Sequence, residues 1–481
     1  MNRLISKIND LSQDYDVYAV GGFARDMFLK RKHKDIDLAV NKNAVKYSKR
    51  LATAFKSKFI TLDKINKTYR IILKDNAVAN IDISLFDGKT IEEDLHNRDF
   101  TVNAIAFNLK YFESFKKHII LSNKNALKDL ESKTINAISD KSFKADPLRM
   151  LRAFRFAAEL YFKLSRKTLQ QIKQNAKLIN TIAPERIKNE FFKVLSIKKS
   201  VIFIDKMDKS GLLTELFPEI KKMKKSSKKY YYHPGGLFQH SFETMESIEN
   251  ILYNLKKYFP TSYIDMQNHF EESSFFSENV TRIGLLKFTA LFHDNAKPET
   301  ATFKNGKMHF FGHEEHGAKK IEDIMLSAKF GKKDIEYVMS LIKYHMRLPA
   351  LTRNNIVTKK ATLKLFRDIG DKIPDLVVLS MSDWHSYKTL KFFSSKELKL
   401  QEKSVRELLK YYYELKNAKP LPKIIDGNII MQKFNLQPGP WIGDFLKIAV
   451  EAYQNGEVSN TDEMLKLVLL ELPQIKKKYK I

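Results

Sequence analysis

Val17-Tyr18-Ala19-Val20-Gly21-Gly22-Phe23-Ala24-Arg25-Asp26 and, a little further on, Lys34-Asp35-Ile36-Asp37-Leu38-Ala39-Val40 are the stretches on which the fold turns. The first is a short β-branched run that stops at paired glycines and opens a helix. The second alternates as a half-buried strand does. Two glycines at a strand-to-helix turn let backbone N–H groups approach a phosphate at the positive end of the helix. Alternation puts Asp35 and Asp37 on one face of their strand. Two carboxylates so placed repel each other unless a cation sits between them, which suits a pair of Mg²⁺ ions that activate an attacking hydroxyl and hold a triphosphate. A third carboxylate is expected on a neighbouring strand, and Asp82 in Asn80-Ile81-Asp82-Ile83-Ser84 fits that place.

Further strands read outward from this pair at Lys58–Leu62, Tyr69–Lys74 and Ala79–Leu85. From about Ala145 to Ile220 the apolar residues recur at spacings of three and four, a helical pattern. Lys221 to Lys229 is a basic, serine-containing linker. Tyr230 to Tyr411 is again helical and carries most of the histidines, and a last helical stretch follows Gln437-Pro438-Gly439-Pro440. The expected fold class is α+β: a small mixed-sheet head over 1–144, then an all-helical neck over 145–228, a histidine-rich domain over 229–411 and a helical tail over 412–481. The lysines and tyrosines at the C-terminus read as a solvated end.

Composition bounds the partners. A chain of 481 residues has room for about two to four domains. With 43% hydrophobic residues it can build cores and is not a disordered tail. Lys plus Arg is 85 against 56 for Asp plus Glu, a formal charge of +29 that favours a polyphosphate or another anionic partner. There is no cysteine, so there is no disulfide partner and any metal must sit on His, Asp or Glu. No apolar run approaches the roughly 18 residues that span a membrane. The stretch Met1 to Asp16 breaks into charges too early for a signal peptide, so the expected location is cytoplasmic with no membrane partner.

Two more blocks sharpen the head. One is Glu93-Asp94-Leu95-His96-Asn97-Arg98-Asp99-Phe100-Thr101-Val102-Asn103-Ala104. The other is Asp146-Pro147-Leu148-Arg149-Met150-Leu151-Arg152-Ala153-Phe154-Arg155-Phe156. In the second, Asp146, Arg149, Arg152 and Arg155 share one slowly drifting helix face. Leu148, Leu151 and Phe154 keep the same spacing beside it, so the arginines border buried surface, where they want anions.

With Gly21–Asp26 and Asp35–Asp37, these blocks resemble the nucleotidyltransferase head of the class II CCA-adding enzyme and bacterial poly(A) polymerase family. The resemblance covers nearly the whole chain. Glu185-Arg186-Ile187-Lys188-Asn189-Glu190 is similar to that family's ERxxxE block, read as architectural. Pro438-Gly439-Pro440-Trp441-Ile442-Gly443 with Gly456-Glu457 resembles its C-terminal end. The resemblance implies template-independent addition of nucleotides from CTP and ATP to the tRNA 3′ end, with Mg²⁺ on Asp35 and Asp37 and Asp82 as the third catalytic carboxylate. It implies nucleotide binding by Gly21, Gly22, Arg25, Arg98, Asp99, Asn103, Asp146, Arg149, Arg152 and Arg155. Asp146 and Arg149 would pair with the incoming base. A carboxylate accepts from the exocyclic amine of C or A and a guanidinium donates to ring nitrogen or carbonyl, so protein replaces a nucleic-acid template. Two positions depart from the family pattern: Asn97 stands where an arginine is usual, and Ala145 where a glutamate often precedes the aspartate.

Members that complete CCA carry a long flexible loop between the third-carboxylate strand and the Glu93–Asp99 block. Here Asp82 to Asp94 leaves room only for a tight Asp87-Gly88 turn. That resembles the members that add CC and stop; full CCA addition stays open as the other reading.

The middle of the chain carries His240, His293-Asp294, His313, His345 and Asp383, an order similar to the HD phosphohydrolase superfamily. Imidazoles with a carboxylate bind a divalent transition metal or Mg²⁺, and the bound water attacks phosphate esters. Lys297 is a candidate phosphate contact. His233, His309, His316 and His385 read as bystanders. Competing functions are a poly(A) polymerase, HD phosphohydrolysis with an inert head, and RNA binding without chemistry; the intact Asp35/Asp37 pair speaks against the last two.

Overall fold

The structure is a computed structural model that describes residues 2–32, 35–64, 67–73, 78–121, 125–226, 233, 235–272, 276–352, 359–387, 394–417, 426–455 and 457–479. The chain divides into two compact units. The first is Met1–Glu249 with Glu272–Ile342, and the second is Asn250–Glu271 with Lys343–Ile481.

The first unit opens with helix α1 (Asn2–Asp10), strand β1 (Val17–Val20) and helix α2 (Gly21–Phe28). Then come β2 (Asp35–Val40), α3 (Ala44–Ala54), β3 (Lys58–Asp63), β4 (Thr68–Ile72), β5 (Asn80–Leu85), α4 (Ile91–Asn97), β6 (Ile105–Asn108) and β7 (Ile119–Leu121). The strands form one sheet in the order β3-β4-β5-β2-β1-β6-β7. β2 and β5 run parallel, and every other pair is antiparallel. The parallel pair sets Asp37 opposite Asp82 and Asp35 opposite Asn80. Strands β6 and β7 were not among the expected ones. Ile105-Ala106-Phe107 is buried throughout, and a short run buried on both faces shows no alternation to read.

Ile36 and Leu38 point into the core while Asp35 is exposed and Asp37 half-buried, so β2 alternates as its sequence requires. Ile91 and Leu95 of α4 pack with Val20, Ala39 and Ala106, which places α4 over the strand face that carries the two aspartates.

Five helices matter in the stretch that follows: α5 (Ala126–Glu131), α6 (Ser142–Ala145), α7 (Arg149–Leu160), α8 (Arg166–Asn175) and α9 (Pro184–Leu195). Met150, Leu151, Ala153, Phe154 and Ala157 bury one side of α7. It packs on α9, which starts with a proline in its first turn and Glu185 near its positive end. The expected head limit at 144/145 falls inside α6, within the first unit. The limit at 228/229 lies outside the described residues. The helical expectation meets two small exceptions, a ladder of Thr134–Ile135 with Lys163–Leu164 and a hairpin of Thr302–Lys304 with Lys307–His309.

In the second unit the helix Ser395–Asn417 runs across the expected limit at 411/412. The helices Gly427–Phe434, Pro440–Asn455 and Thr461–Tyr479 close a separate core around Ile430, Phe445, Ala449 and Val468. The C-terminal lysine-tyrosine run, expected as a solvated end, has exposed lysines at 476–478 on the last turn of a helix. Lys478 Nζ (2.6 Å) and Tyr479 Oη (2.9 Å) both donate to Asp444. Gly456 of the expected C-terminal motif lies outside the described residues. Among the described residues no helix is long and apolar enough to cross a membrane.

Candidate active site

The parallel register of β2 and β5 gathers the three expected carboxylates, and each has a different donor. Asp35 Oδ1 accepts from Asn80 Nδ2 at 2.8 Å. Asp37 Oδ2 accepts from the Phe23 N–H at 3.2 Å. Asp82 takes the fork of Arg70, Nε to Oδ1 and Nη2 to Oδ2, both at 2.7 Å. Burial first, and the neighbouring Asp82 second, push the Asp37 carboxyl above its ordinary value; the Phe23 N–H and Arg98 only partly offset them. Asp37 is thus short of positive charge. Hard carboxylate oxygens on one strand face are the donors a divalent cation takes, so Asp35 and Asp37 fit such an ion. Asp82, opposite Asp37 in the register, gives both oxygens to Arg70.

The glycines keep the space above this pair clear. Gly21 sits at φ +60°, and a Cβ there would lie 2.9 Å from Arg98 Nη1. At Gly22 it would come within 3.1 Å of Asp37 Oδ2. The start of α2 and the Arg98 guanidinium therefore face the same gap as the carboxylates, an arrangement that suits a polyphosphate. Arg98 itself is aimed by Asp94, whose Oδ2 accepts from Nε at 2.9 Å.

Behind the gap runs a buried polar chain joining α2 to α7. Arg25 donates to Asp26 (2.8 Å) and to Asn103 Oδ1 (2.7 Å), and Asn103 Nδ2 donates to Asp99 Oδ1 (3.0 Å). Arg152 then closes on Asp99 Oδ2 with Nε (2.9 Å) and Nη2 (2.6 Å). Burial alone would raise Asp99, but Arg152 and Asn103 outweigh it and hold the carboxyl below its ordinary value. Arg25, Asn103, Asp99 and Arg152, all expected at the nucleotide, spend these bonds on one another.

Arg149 is anchored differently. Its Nη2 donates to the Asn97 carbonyl (2.7 Å), and its Nη1 to the Arg98 carbonyl (3.2 Å) and Ser142 Oγ (3.1 Å). Asp146 Oδ1 accepts the Leu148 N–H at 3.1 Å, and Arg186 stands 3.7 Å from Oδ2. Arg155 pairs with Glu190 of α9 at 3.0 Å, which agrees with the architectural reading of the Glu185–Glu190 block. Asp35, Asp37, Arg98, Asp146, Arg149 and Arg152 line one cleft of about 1070 Å³.

Only residues 86–90 separate β5 from α4, and side chains pin them. The Asp87 N–H donates to Asp94 Oδ1 (3.0 Å) and the Lys89 N–H to Glu93 Oε2 (2.7 Å). Thr90 caps α4 through the Glu93 N–H (3.4 Å). Asn97, at the position where the resembled family has arginine, donates from Nδ2 to the Asp87 carbonyl at 2.8 Å.

Four of the six expected HD residues meet within the first unit. Asp294 is buried, with His240 and His293 Nε2 each 3.3 Å and His313 Nε2 3.4 Å from its oxygens, and Lys297 donates to it as well. His240 and His293 stand 3.2 Å apart. Burial would raise Asp294, yet His293 and Lys297 hold it well below the usual carboxylate range. His345 and Asp383 belong to the second unit.

Sequence reasoning missed Arg70 and Asn80, the partners of Asp82 and Asp35. No motif marks them. Arg70 reaches Asp82 because they are cross-strand partners in the β4–β5 pair, a register that one strand's sequence does not carry.

Three stretches of the chain match known protein families. Residues 17–136 match the poly A polymerase head domain, 161–224 a probable RNA- and SrmB-binding site of polymerase A, and 310–469 a putative tRNA nucleotidyltransferase domain 2. The chain is 27% identical over 460 residues to the CC-adding tRNA nucleotidyltransferase of Thermus thermophilus, covering 93% of this chain and 92% of that one. It is 27% identical over 384 residues to the A-adding tRNA nucleotidyltransferase of Deinococcus radiodurans, covering 78% and 77%. Its fold is similar to that of the Thermotoga maritima CCA-adding enzyme solved with tRNA, with a TM-score of 0.62 at 23% identity over 98% of this chain and 94% of that one. Over most of its length the chain is thus similar to the CC- and A-adding tRNA nucleotidyltransferases.

Proposed function

We propose that this protein adds cytidines from CTP to the 3′ end of tRNA and stops after two. The observation that carries the reading is a short mechanical path. The turn at 86–90 is tied to Asn97, and the Asn97 carbonyl holds Arg149, one of the two residues expected to read the base. A base pocket held this way has no long loop to reshape it from C to A, so it favours one base shape. The similarity to a CC-adding relative along nearly the full chain supports the same reading.

In the transfer, the α2 N-terminus and Arg98 receive the triphosphate, which sets the α-phosphorus against Asp35 and Asp37. Those two carboxylates would hold the divalent cation, typically Mg²⁺, which when bound neutralises charge on the triphosphate and favours ionisation of the primer 3′-hydroxyl. Asp146 accepts from the cytosine amine while Arg149 donates to the ring. The Arg152–Asp99–Asn103–Arg25 chain keeps α7 and the base readers in register with the glycine turn. The test is extension of tRNA ending at the discriminator base with CTP alone, and of tRNA ending in CC with ATP alone. Two added cytidines and no terminal A are expected; efficient single-A addition defeats the CC-only reading.

A second reading applies to the histidine cluster. Three imidazoles converging on buried Asp294 support a divalent metal site and a phosphohydrolase activity there. Metal analysis of the parent against His293→Ala/Asp294→Ala tests it. Equal metal in both defeats it.

A further inference from the structure

Arg70, on the strand next to that of Asp82, is an arginine of the head cleft that the expected roles leave without work. The two residues are direct partners in the antiparallel β4–β5 pair, and their bidentate contact fixes the guanidinium plane. Nε and Nη2 are used on Asp82; Nη1 makes no hydrogen bond among the described residues. Arg70 keeps about 33% of its side chain exposed and lines the cleft together with Lys67 and Thr68 at the start of β4.

The sheet orders these groups in a row. Arg70 lies on β4, Asp82 on β5, Asp37 on β2, and the Phe23 N–H beyond the glycine turn sits on Asp37. In-line displacement at phosphorus puts the attacking oxygen and the leaving pyrophosphate on opposite sides of the reacting atom. The glycine turn and Arg98 claim the triphosphate side. The attacking RNA end then comes from the other side of Asp37, which is the side of Arg70.

We infer that Arg70 binds the terminal phosphodiester of the RNA primer through its uncommitted Nη1, and that Asp82 is the positioning residue that aims it rather than a metal ligand. This rests on the head being a nucleotidyltransferase. The chemistry fits both partners. A guanidinium locked in a fork on one carboxylate still presents two N–H groups in its own plane, which match phosphate oxygens.

The experiment is steady-state transfer by the full chain on tRNA lacking CCA, with Arg70→Ala, Arg70→Lys and Asp82→Asn beside the parent. Primer KM, CTP KM, kcat and the Mg²⁺ half-saturation are all measured, and thermal melts report folding. Loss of a charge-assisted hydrogen bond predicts a primer KM about tenfold or more higher in Arg70→Ala, with a smaller change in CTP KM and in Mg²⁺ requirement. Arg70→Lys should recover part of the loss, because an ammonium keeps the charge but not the fork. Asp82→Asn should move primer KM in the same direction. If Asp82→Asn instead raises the Mg²⁺ requirement with primer KM unmoved, Asp82 is a metal ligand and the inference fails. Unchanged primer KM in Arg70→Ala, or an increase confined to CTP KM, also overturns it. A parent that transfers no nucleotide would defeat the transferase reading itself, a result distinct from either of these.

Discussion

Two aspartates in the same unit are pushed in opposite directions. Asp37 in the head is raised by burial and by Asp82, while Asp294 in the histidine cluster is held low by His293 and Lys297. The head spreads three carboxylates over two parallel strands, each with a donor of its own, and leaves a deficit of positive charge at Asp37. The histidine cluster gathers its donors on a single carboxylate and leaves none. The difference teaches that a carboxyl answers to its neighbours: a second carboxylate raises one aspartate, and an imidazole with a lysine lowers the other.

The sharpest way to break this contrast is to remove the deficit. Asp35→Ala and Asp37→Ala should each lower the rate of nucleotide transfer by several orders of magnitude while leaving tRNA binding nearly intact, since the carboxylates serve chemistry rather than affinity. Gel-based transfer assays beside filter binding check it; more than about a tenth of parental activity in either variant would end the assignment, because tenfold is only about 1.4 kcal/mol.

Asp99 offers an intermediate case, a buried carboxylate of the head that is compensated as Asp294 is. Arg152→Ala should cost roughly 2–3 kcal/mol of stability at neutral pH. That is below the range for removing half of a fully buried pair, because Arg152 keeps 34% of its side chain exposed. The sign with pH follows from Asp99 being depressed in the folded state. Its contribution is complete above the unfolded carboxyl value of about 3.9 and is lost as pH falls through the lower folded value. Urea unfolding from pH 7 downward should therefore show the gap between parent and variant holding to about pH 4 and closing below it. A gap that widens in acid would contradict the pairing.

Base choice is a smaller effect. Asp146→Ala should weaken discrimination of CTP against UTP by roughly 1–3 kcal/mol, the range for one bidentate base contact, read in competition assays. Unchanged selectivity would remove Asp146 from the base pocket. Smallest of all is the expected effect of the histidine cluster on the head: His293→Ala/Asp294→Ala should leave cytidine addition within about twofold of the parent. A large loss of transfer would mean that the two sites are coupled after all.

Much of the head was legible in the sequence because its chemistry lies on local spacing. Asp35 and Asp37 share a face by strand alternation, and Gly21 and Gly22 follow β1 as a phosphate turn should. Helix α7 buries Leu151 and Phe154 beside Arg152 and Arg155, as the spacing of three implied. What was not legible is partnership. The strand of Asp82 was clear and its neighbour was not; the β4–β5 register sets Arg70 beside it. Arg25 and Arg152 read as ligand contacts, and the fold joins them through Asn103 and Asp99. In the second half, the histidine order foresaw the meeting of His240, His293 and His313 at Asp294.

The pinned turn at 86–90 also bears on how such a protein can change over generations. Inserting residues there lengthens a segment that remains tethered by Asp94, Glu93, Thr90 and Asn97, so a first insertion alone frees nothing. Releasing it takes several further substitutions, each of which loosens the α4 start that aims Arg98 and Arg149 before any new loop can be useful. Intermediates on that route lose ground, so the same handful of hydrogen bonds resists any lengthening of the segment.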